Sequence, residues 1–310
     1  MAHIPVLKNE IIENLNVKSD GIYIDLTLGG GGHALAIWEQ LTSGTLIAFD
    51  VDQDAIANFE QQIDQSGKKK AILLNRSFSK LTESLVELGI EKVDGIIADL
   101  GWSTDQLESI SGLAYDTEQE MELDMRLDQS MQAKASDLLN GMYKPELLNM
   151  FEKYADIRGN EAKRLVEAIF DFRHQQPIRT NADLLKIIYS TLPSANRRGS
   201  RGFGQPVKPG NAGNLPARVF QALRIAVNDE LSRLQSVLPQ ALDALDAGGR
   251  LQVITFHSGE DRIVKHQFQR WIAEAKAEYL YNEEFLHPSV EELSRNLRAR
   301  SAKLRGVKKL

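Results

Sequence analysis

The sequence predicts an α/β protein: a parallel sheet of the nucleotide-binding kind, interrupted by an all-helical insertion. Three observations predict it. Short β-branched runs alternate with helix-spaced segments between residues 21 and 100, strand signal vanishes after about residue 125, and it returns at Arg250. Strands are expected at Gly21–Leu28, Thr45–Asp50, Ala71–Asn75 and Val93–Leu100, with helices at Ala34–Leu41, Gln53–Gln65 and Ser79–Leu88 between them. Three strand-helix units in succession require right-handed crossovers and hence one parallel sheet.

Segments 131–140, 144–155, 160–174 and 180–190 are rich in Leu, Ala, Glu and Lys at helical spacing. A Gly- and Pro-rich stretch at 193–216 leads into one long helix, about 217–245, which Gly248-Gly249 should stop before a strand at Arg250–Phe256. The expected organisation is therefore a core of 1–124 with 215–310, and an inserted helical unit of 125–214 carrying a basic Gly/Pro-rich loop.

The chain has 310 residues, 37 basic and 43 acidic, for a net charge of −6. Hydrophobic residues make up 42% and charged ones 26%, enough for a sizeable core and far from a disordered composition. Without cysteine there are no disulfides, thiolate zinc sites or cysteine nucleophiles. Six scattered histidines offer no close ligand pair, so no metal is expected. No basic segment with an apolar h-region opens the chain and no apolar run approaches a bilayer span, which leads us to expect a cytoplasmic protein.

The charge is uneven. Residues 295–310 hold seven bases and no acid, leaving 30 bases against 43 acids in the first 294 residues. Residues 190–216 hold Arg197, Arg198, Arg201 and Lys208 among five glycines and four prolines, again without an acid. Basic patches on an acidic body suit a polyanion, because phosphates gain from neutralisation and counterion release. A solvated loop and tail would read the same way.

Asp25-Leu-Thr-Leu-Gly29-Gly30-Gly31-Gly32-His33 runs from a strand through four glycines into a helix. Glycine lets backbone approach a ligand at the carboxyl end of the first strand, where open α/β sheets bind cofactors. Asp50 ends the second strand 18 residues after Gly32, placed to accept both hydroxyls of a ribose. Consecutive glycines lack the G-x-G-x-x-G spacing that seats a pyrophosphate, which weakens a nicotinamide-dependent oxidoreductase. Asp25, Asp50 and Asp99 at successive strand ends favour a cationic, ribose-bearing ligand, and S-adenosylmethionine is one. Phe78, just past the third strand, is placed either to stack on adenine or to fill the core.

Two further strings carry polar groups. Arg218, Gln221, Arg224 and Asn228 form one polar stripe on a helix, which is either a contact surface or a solvated face. In Thr255-Phe-His257-Ser258-Gly-Glu-Asp261-Arg262 a strand meets a helix, so that His257 and Ser258 either project from the sheet edge or serve as a helix cap.

His3-Ile-Pro-Val-Leu, Thr27–His33, Asp99-Leu-Gly, Gln106-Leu, Leu123-Asp-Met-Arg126-Leu-Asp, the string from Phe220 to Leu231, Phe256-His-Ser, Glu260–Lys265 and Arg298–Arg305 stand in this order along nearly the whole chain. Together they resemble the bacterial small-subunit ribosomal RNA (cytosine N4) methyltransferase H family. The resemblance implies a class I S-adenosylmethionine-dependent methyltransferase sheet (Rossmann-like) with a helical insertion, and 16S rRNA, within the small ribosomal subunit, as partner. The reaction implied is methylation of a decoding-centre cytidine.

Carried over by motif, the donor-binding positions are Gly31, Gly32, His33, Asp50, Phe78, Asp99 and Gln106. Asp99, or the backbone carbonyls of 100–102, is the expected hydrogen-bond acceptor for the reacting amine, with Trp102 either stacking on an extruded base or packing in the core. Arg126, Arg218, Arg224, Asn228, His257 and Arg262 are assigned to the RNA side. The resemblance also makes the basic chain end a final sheet strand. Departures fall on the acceptor side: Trp102 replaces a small aliphatic residue, Gly259 a leucine and Leu297 a proline. A ribosome-assembly protein that kept the fold without turnover would lack reason to keep the string from Gly29 to Asp50. Monomer and homodimer are both compatible with the sequence.

Overall fold

The computed structural model describes residues 5–64, 67–102, 110–113, 119–128, 131, 133–192 and 215–310. Gln106, Arg197, Arg198, Arg201, Lys208 and the rest of the Gly/Pro-rich stretch before Leu215 lie outside the described residues. The chain divides into two compact units, Met1–Ser103 with Leu231–Leu310, and Thr104–Glu230.

The first unit contains α1 (Lys8–Leu15), β1 (Ile22–Asp25), α2 (Gly32–Gln40), β2 (Thr45–Asp50), α3 (Gln53–Gln62), β3 (Lys70–Asn75), α4 (Leu81–Leu88) and β4 (Val93–Asp99). After the second unit it resumes with α10 (Glu230–Ala244), β5 (Leu245–Thr255), α11 (Ser258–Ala273), β6 (Ala277–Tyr279), α12 (Val290–Arg295) and β7 (Lys303–Lys309). The seven strands lie in the order β3-β2-β1-β4-β5-β7-β6. β1 to β5 pair in parallel, and β7 runs antiparallel between β5 and β6. This is the class I methyltransferase sheet. The basic chain end is its strand β7, as expected, while the short β6 had no strand signal.

Period-two alternation distributes the apolar residues over both faces. Ile24, Ile47, Phe49, Ile96 and Ala98 pack in one cluster with Leu81, Leu85, Leu238 and Phe268. Tyr23, Leu46, Ala48 and Ile97 pack in another with Ile11, Ile37, Trp38 and Phe59. A sheet covered on both faces explains why its strands read as nearly continuous apolar runs.

Two expected elements differ. The helix expected at 217–245 is two, α9 (Leu215–Asn228) and α10 (Glu230–Ala244), because Asp229 takes a left-handed φ of 49°. Gly248-Gly249 does not end a helix. The two glycines lie inside β5, where Gly248 has φ 80° and the register against β4 slips between the Val93 and Gly95 pairings.

The second unit holds α5 (Ala135–Gly141), α6 (Lys144–Ala155), α7 (Gly159–Gln175), α8 (Asn181–Thr191) and α9. Leu139, Phe151, Leu165, Ile188, Val219 and Leu223 are fully buried among them. Helix α9 packs on α5, α6 and α8, so it belongs with the helices, and the unit boundaries fall at 103/104 and 230/231 where the sequence suggested 124/125 and 214/215.

The polar stripe of α9 ties this unit together. Asn228 is buried, accepts the Leu127 N–H at 2.8 Å and donates to the Met125 and Arg224 carbonyls at 2.9 and 3.0 Å. Arg224 grips Glu230 with two bonds of 2.8 and 3.0 Å. Arg218 donates to the carbonyls of Ala155 and Asp156 and to Glu161, closing the end of α6. Arg126 forks onto Asp124 at 2.7 and 2.9 Å and reaches the Met131 carbonyl.

Replacing Asn228→Ala strands the part-buried Leu127 amide and the buried Met125 carbonyl, each worth about 1–3 kcal/mol. Urea unfolding should therefore show a loss of about 2–4 kcal/mol; a loss below about 0.5 kcal/mol would remove Asn228 as the fastener of this loop.

Candidate functional site at the carboxyl edge of the sheet

The loop after β1 is built by short-range chemistry. Asp25 Oδ1 accepts the Thr27 N–H at 2.9 Å, an Asx turn that ends regular pairing after four residues although Leu26 and Leu28 still donate to Ile97 and Phe49. Gly31 has φ 76°, and a Cβ there would lie 2.5 Å from the Phe59 ring. A Cβ on Gly32 would lie 2.8 Å from Pro5. Only glycine lets the chain turn here while packed against α3 and the N-terminal segment. Helix α2 then starts with no side-chain cap and no acid in its first turn, leaving its first N–H groups for a partner outside the helix.

Three neighbouring strands end in carboxylates. Asp50 accepts the Gly29 N–H at 2.7 Å and the Asp52 N–H at 2.9 Å, and burial still holds its carboxyl above the usual range. The Asp99 N–H donates to Thr27 Oγ1 at 2.6 Å, tying β4 to the glycine loop, and its Oδ1 accepts the Gly101 N–H at 3.3 Å. Asp25 is 1% exposed, and its Oδ2 has no hydrogen-bond partner among the described residues. Burial, reinforced by Asp99 and Asp50 and opposed by His33 and the Thr27 N–H, pushes its carboxyl up to about 6. A buried carboxylate with an idle oxygen beside two others suits a cation.

His33 directs both ring nitrogens inward: Nε2 lies 2.8 Å from the Val6 carbonyl and Nδ1 3.5 Å from Asp99 Oδ2. Both ring nitrogens face protein groups, and the backbone N–H stands in the first turn of α2. Phe78, in a short 3₁₀ turn after β3, packs half-buried against the core. Trp102 is half-buried at the end of the β4 segment.

At the head of α11, His257 is the helix cap. Its Nδ1 accepts from the Gly259 and Glu260 N–H groups at 3.1 and 3.4 Å. Its Nε2 lies 3.1 Å from Glu260 Oε1 in poor hydrogen-bond geometry. Arg262, one turn on, is exposed. Asp261 is instead a structural hub: burial opposes it, but Arg305 at 2.7 Å and Lys303 at 3.0 Å hold its carboxyl below the usual range.

The structure thus brings Gly31, Gly32, His33, Asp50 and Asp99 together at one sheet edge, with Asp25 and Thr27. It gives Arg126, Arg218, Arg224 and Asn228 intramolecular partners within the helical unit, so the expected RNA contacts there have most of their donors engaged. Thr27 was missed; the signal available for it was the Asp-x-Thr spacing at a strand end.

A family model described as the MraW methylase family matches residues 1–310. The ribosomal RNA small subunit methyltransferase H of Finegoldia magna is 37% identical over 323 residues, covering 99% of this chain and 98% of that protein. Among solved structures, a putative methyltransferase from Streptococcus mutans in complex with SAH is 12% identical with a TM-score of 0.46, over 99% and 100% of the two chains. An rRNA methylase from Streptococcus thermophilus is 11% identical with a TM-score of 0.45, over 100% and 99%. No described helix is long and apolar enough to cross a membrane.

Because the Asp25 carboxyl titrates near 6 in the fold but near 3.8 when unfolded, the native state binds the extra proton between these values. Stability contributed by this group therefore falls as pH rises through that window, by about 3 kcal/mol at most. Calorimetry of ligand-free Asp25→Asn should show a higher Tm than the parent at pH 7.5 and none of that gain at pH 4; an equal shift at both pH values would show that charge burial is not the cause.

Proposed function

We propose, from the premise that the chain belongs to the MraW methylase family, that it methylates the N4 amine of a decoding-centre cytidine in 16S rRNA. The methyl donor is S-adenosylmethionine, and the reaction takes place in the cytoplasm on RNA of the small ribosomal subunit. The observation that carries the donor assignment is Asp25 Oδ2, a buried acceptor with no partner among the described residues beside a glycine cradle that a Cβ would fill.

The site fits this donor. Asp25 would meet the ammonium group and the N–H groups of Gly32 and His33 the carboxylate at the uncapped start of α2, while Gly31, whose N–H is held by the Leu28 carbonyl at 2.7 Å, shapes the turn that presents them. Asp50 uses only part of its acceptor capacity on Gly29 and Asp52 and retains lone pairs for the ribose hydroxyls. Phe78 flanks the adenine, and Gln106 is assigned to the donor from the motif alone. Bound S-adenosylmethionine supplies a methyl group activated by a positively charged sulfur.

Cytosine N4 is a poor nucleophile because its lone pair is delocalised into the ring. Asp99 accepts a hydrogen bond from the amine, which localises that pair as it reaches for the methyl carbon. The Gly101 N–H and Thr27 hold Asp99 in place for this, and Trp102 stacks on the extruded base. Arg262 and the Gly/Pro-rich basic stretch meet phosphates. His257 acts from its capping position, and Arg126, Arg218, Arg224 and Asn228 serve the RNA by holding the helical unit in shape.

Asp99→Asn should slow single-turnover methylation about 100-fold or more, with donor affinity, measured by calorimetry, changing less than about 10-fold. Unchanged chemistry would remove Asp99 from the acceptor role. Mass analysis of the treated rRNA should place the methyl on N4 of a single cytidine; a methyl on another base or on a ring carbon would overturn the assignment. Arg197→Ala, Arg198→Ala and Arg201→Ala together should reduce the slope of log affinity against log salt by about 2, and an unchanged slope would show that this stretch holds no phosphate.

A further inference from the structure

His33 makes two contacts that restrict where its protons lie. The Val6 carbonyl can only accept, so the 2.8 Å contact requires a proton on Nε2. In the neutral ring Nδ1 is then the bare nitrogen, and it faces Asp99 Oδ2 at 3.5 Å. Two acceptors facing each other leave a place for one proton. The His33 side chain is 6% exposed and that of Asp99 15%, so Asp99 is the more open of the two.

We infer that His33 takes up, through Asp99, the proton that the methylated amine releases. The inference rests on the function proposed above. The N4 lone pair forms the new N–C bond while the C–S bond breaks and its electron pair stays on sulfur. N4 then carries one methyl group, two hydrogens and a positive charge. One hydrogen leaves as a proton to Asp99 Oδ2 and passes to His33 Nδ1, which ends as imidazolium against a carboxylate. No further reactant is needed.

The arrangement answers a mismatch of basicity. Of the two kinds of acceptor, an imidazole is ordinarily the stronger base, which makes the ring the terminus of the transfer. Among the described residues, charged groups acting on the ring include Asp25 at the end of β1, Asp99 at the end of β4 and Glu292 on α12, which itself accepts the Leu7 N–H at 2.8 Å. Asp50 acts on Asp25 from the end of β2. All four are acidic, so an imidazolium formed here is neutralised where it stands.

His33→Gln tests this, because glutamine keeps a donor for the Val6 carbonyl and removes the base at Nδ1. The readout is the pH profile of single-turnover methylation of small ribosomal subunits lacking the modification. The wild type should lose activity on acidification with a midpoint well above the carboxylate range. In His33→Gln that limb should move down by at least one pH unit, with a loss of about 10- to 100-fold at pH 7 and donor affinity within about threefold. A limb that stays in His33→Gln belongs to Asp25 and overturns the inference, as does a wild-type profile flat between pH 5.5 and 8.

Where His33→Gln no longer binds donor, the nitrogen chemical shifts of the wild-type ring decide. A neutral ring protonated on Nε2, with Nδ1 titrating, supports the inference, and a ring protonated on Nδ1 overturns it. Absence of any methyl transfer by the wild type would overturn the proposed function and this inference with it, whereas transfer with an unaltered profile overturns this inference alone.

Discussion

Three adjacent parallel strands, β2, β1 and β4, end in Asp50, Asp25 and Asp99, and the chain gathers these like charges at one edge of a sheet. That constraint shapes the surrounding backbone. Each carboxylate accepts a nearby N–H: Asp25 from Thr27, Asp50 from Gly29 and Asp52, and Asp99 from Gly101. Backbone donors offset part of the cost of burial without bringing in a competing side-chain cation. What stays unmatched is Asp25 Oδ2, which makes the ligand-free fold carry a penalty that a cation can relieve.

The same economy explains the glycines. Gly31 and Gly32 are pinned by Phe59 and Pro5 behind the loop, so the loop is rigid because its missing side chains are replaced by neighbours. Thr27 adds a second tie, its hydroxyl accepting the Asp99 N–H at 2.6 Å. Loop, strand end and helix start are thereby one hydrogen-bonded piece, and preorganisation of that sort lowers the entropic cost of holding a ligand.

The helical unit follows a different rule. Its arginines and Asn228 read as a basic, RNA-facing stripe in the sequence, yet Arg218 closes the end of α6, Arg224 clamps Glu230 and Asn228 fastens residues 125–127. A motif string records that a residue type is needed at a spacing. It does not record whether the need is for a partner inside the chain or outside it. His33 repeats the point, because both of its ring nitrogens turn to protein groups.

By itself the sequence determined the parallel sheet, the glycine loop and the three strand-end aspartates, because these depend on local periodicity and on turn chemistry a few residues long. The motif strings added the last strand, whose antiparallel direction came from the tertiary structure. Tertiary structure alone decided the break at Asp229, the bulge at Gly248, the short strand β6 and the partners of Arg218, Asn228 and His33. A left-handed residue inside a helical pattern, an edge strand of three residues and a hydrogen bond spanning more than 60 positions leave no periodic trace; their free energy comes from neighbours distant in the chain.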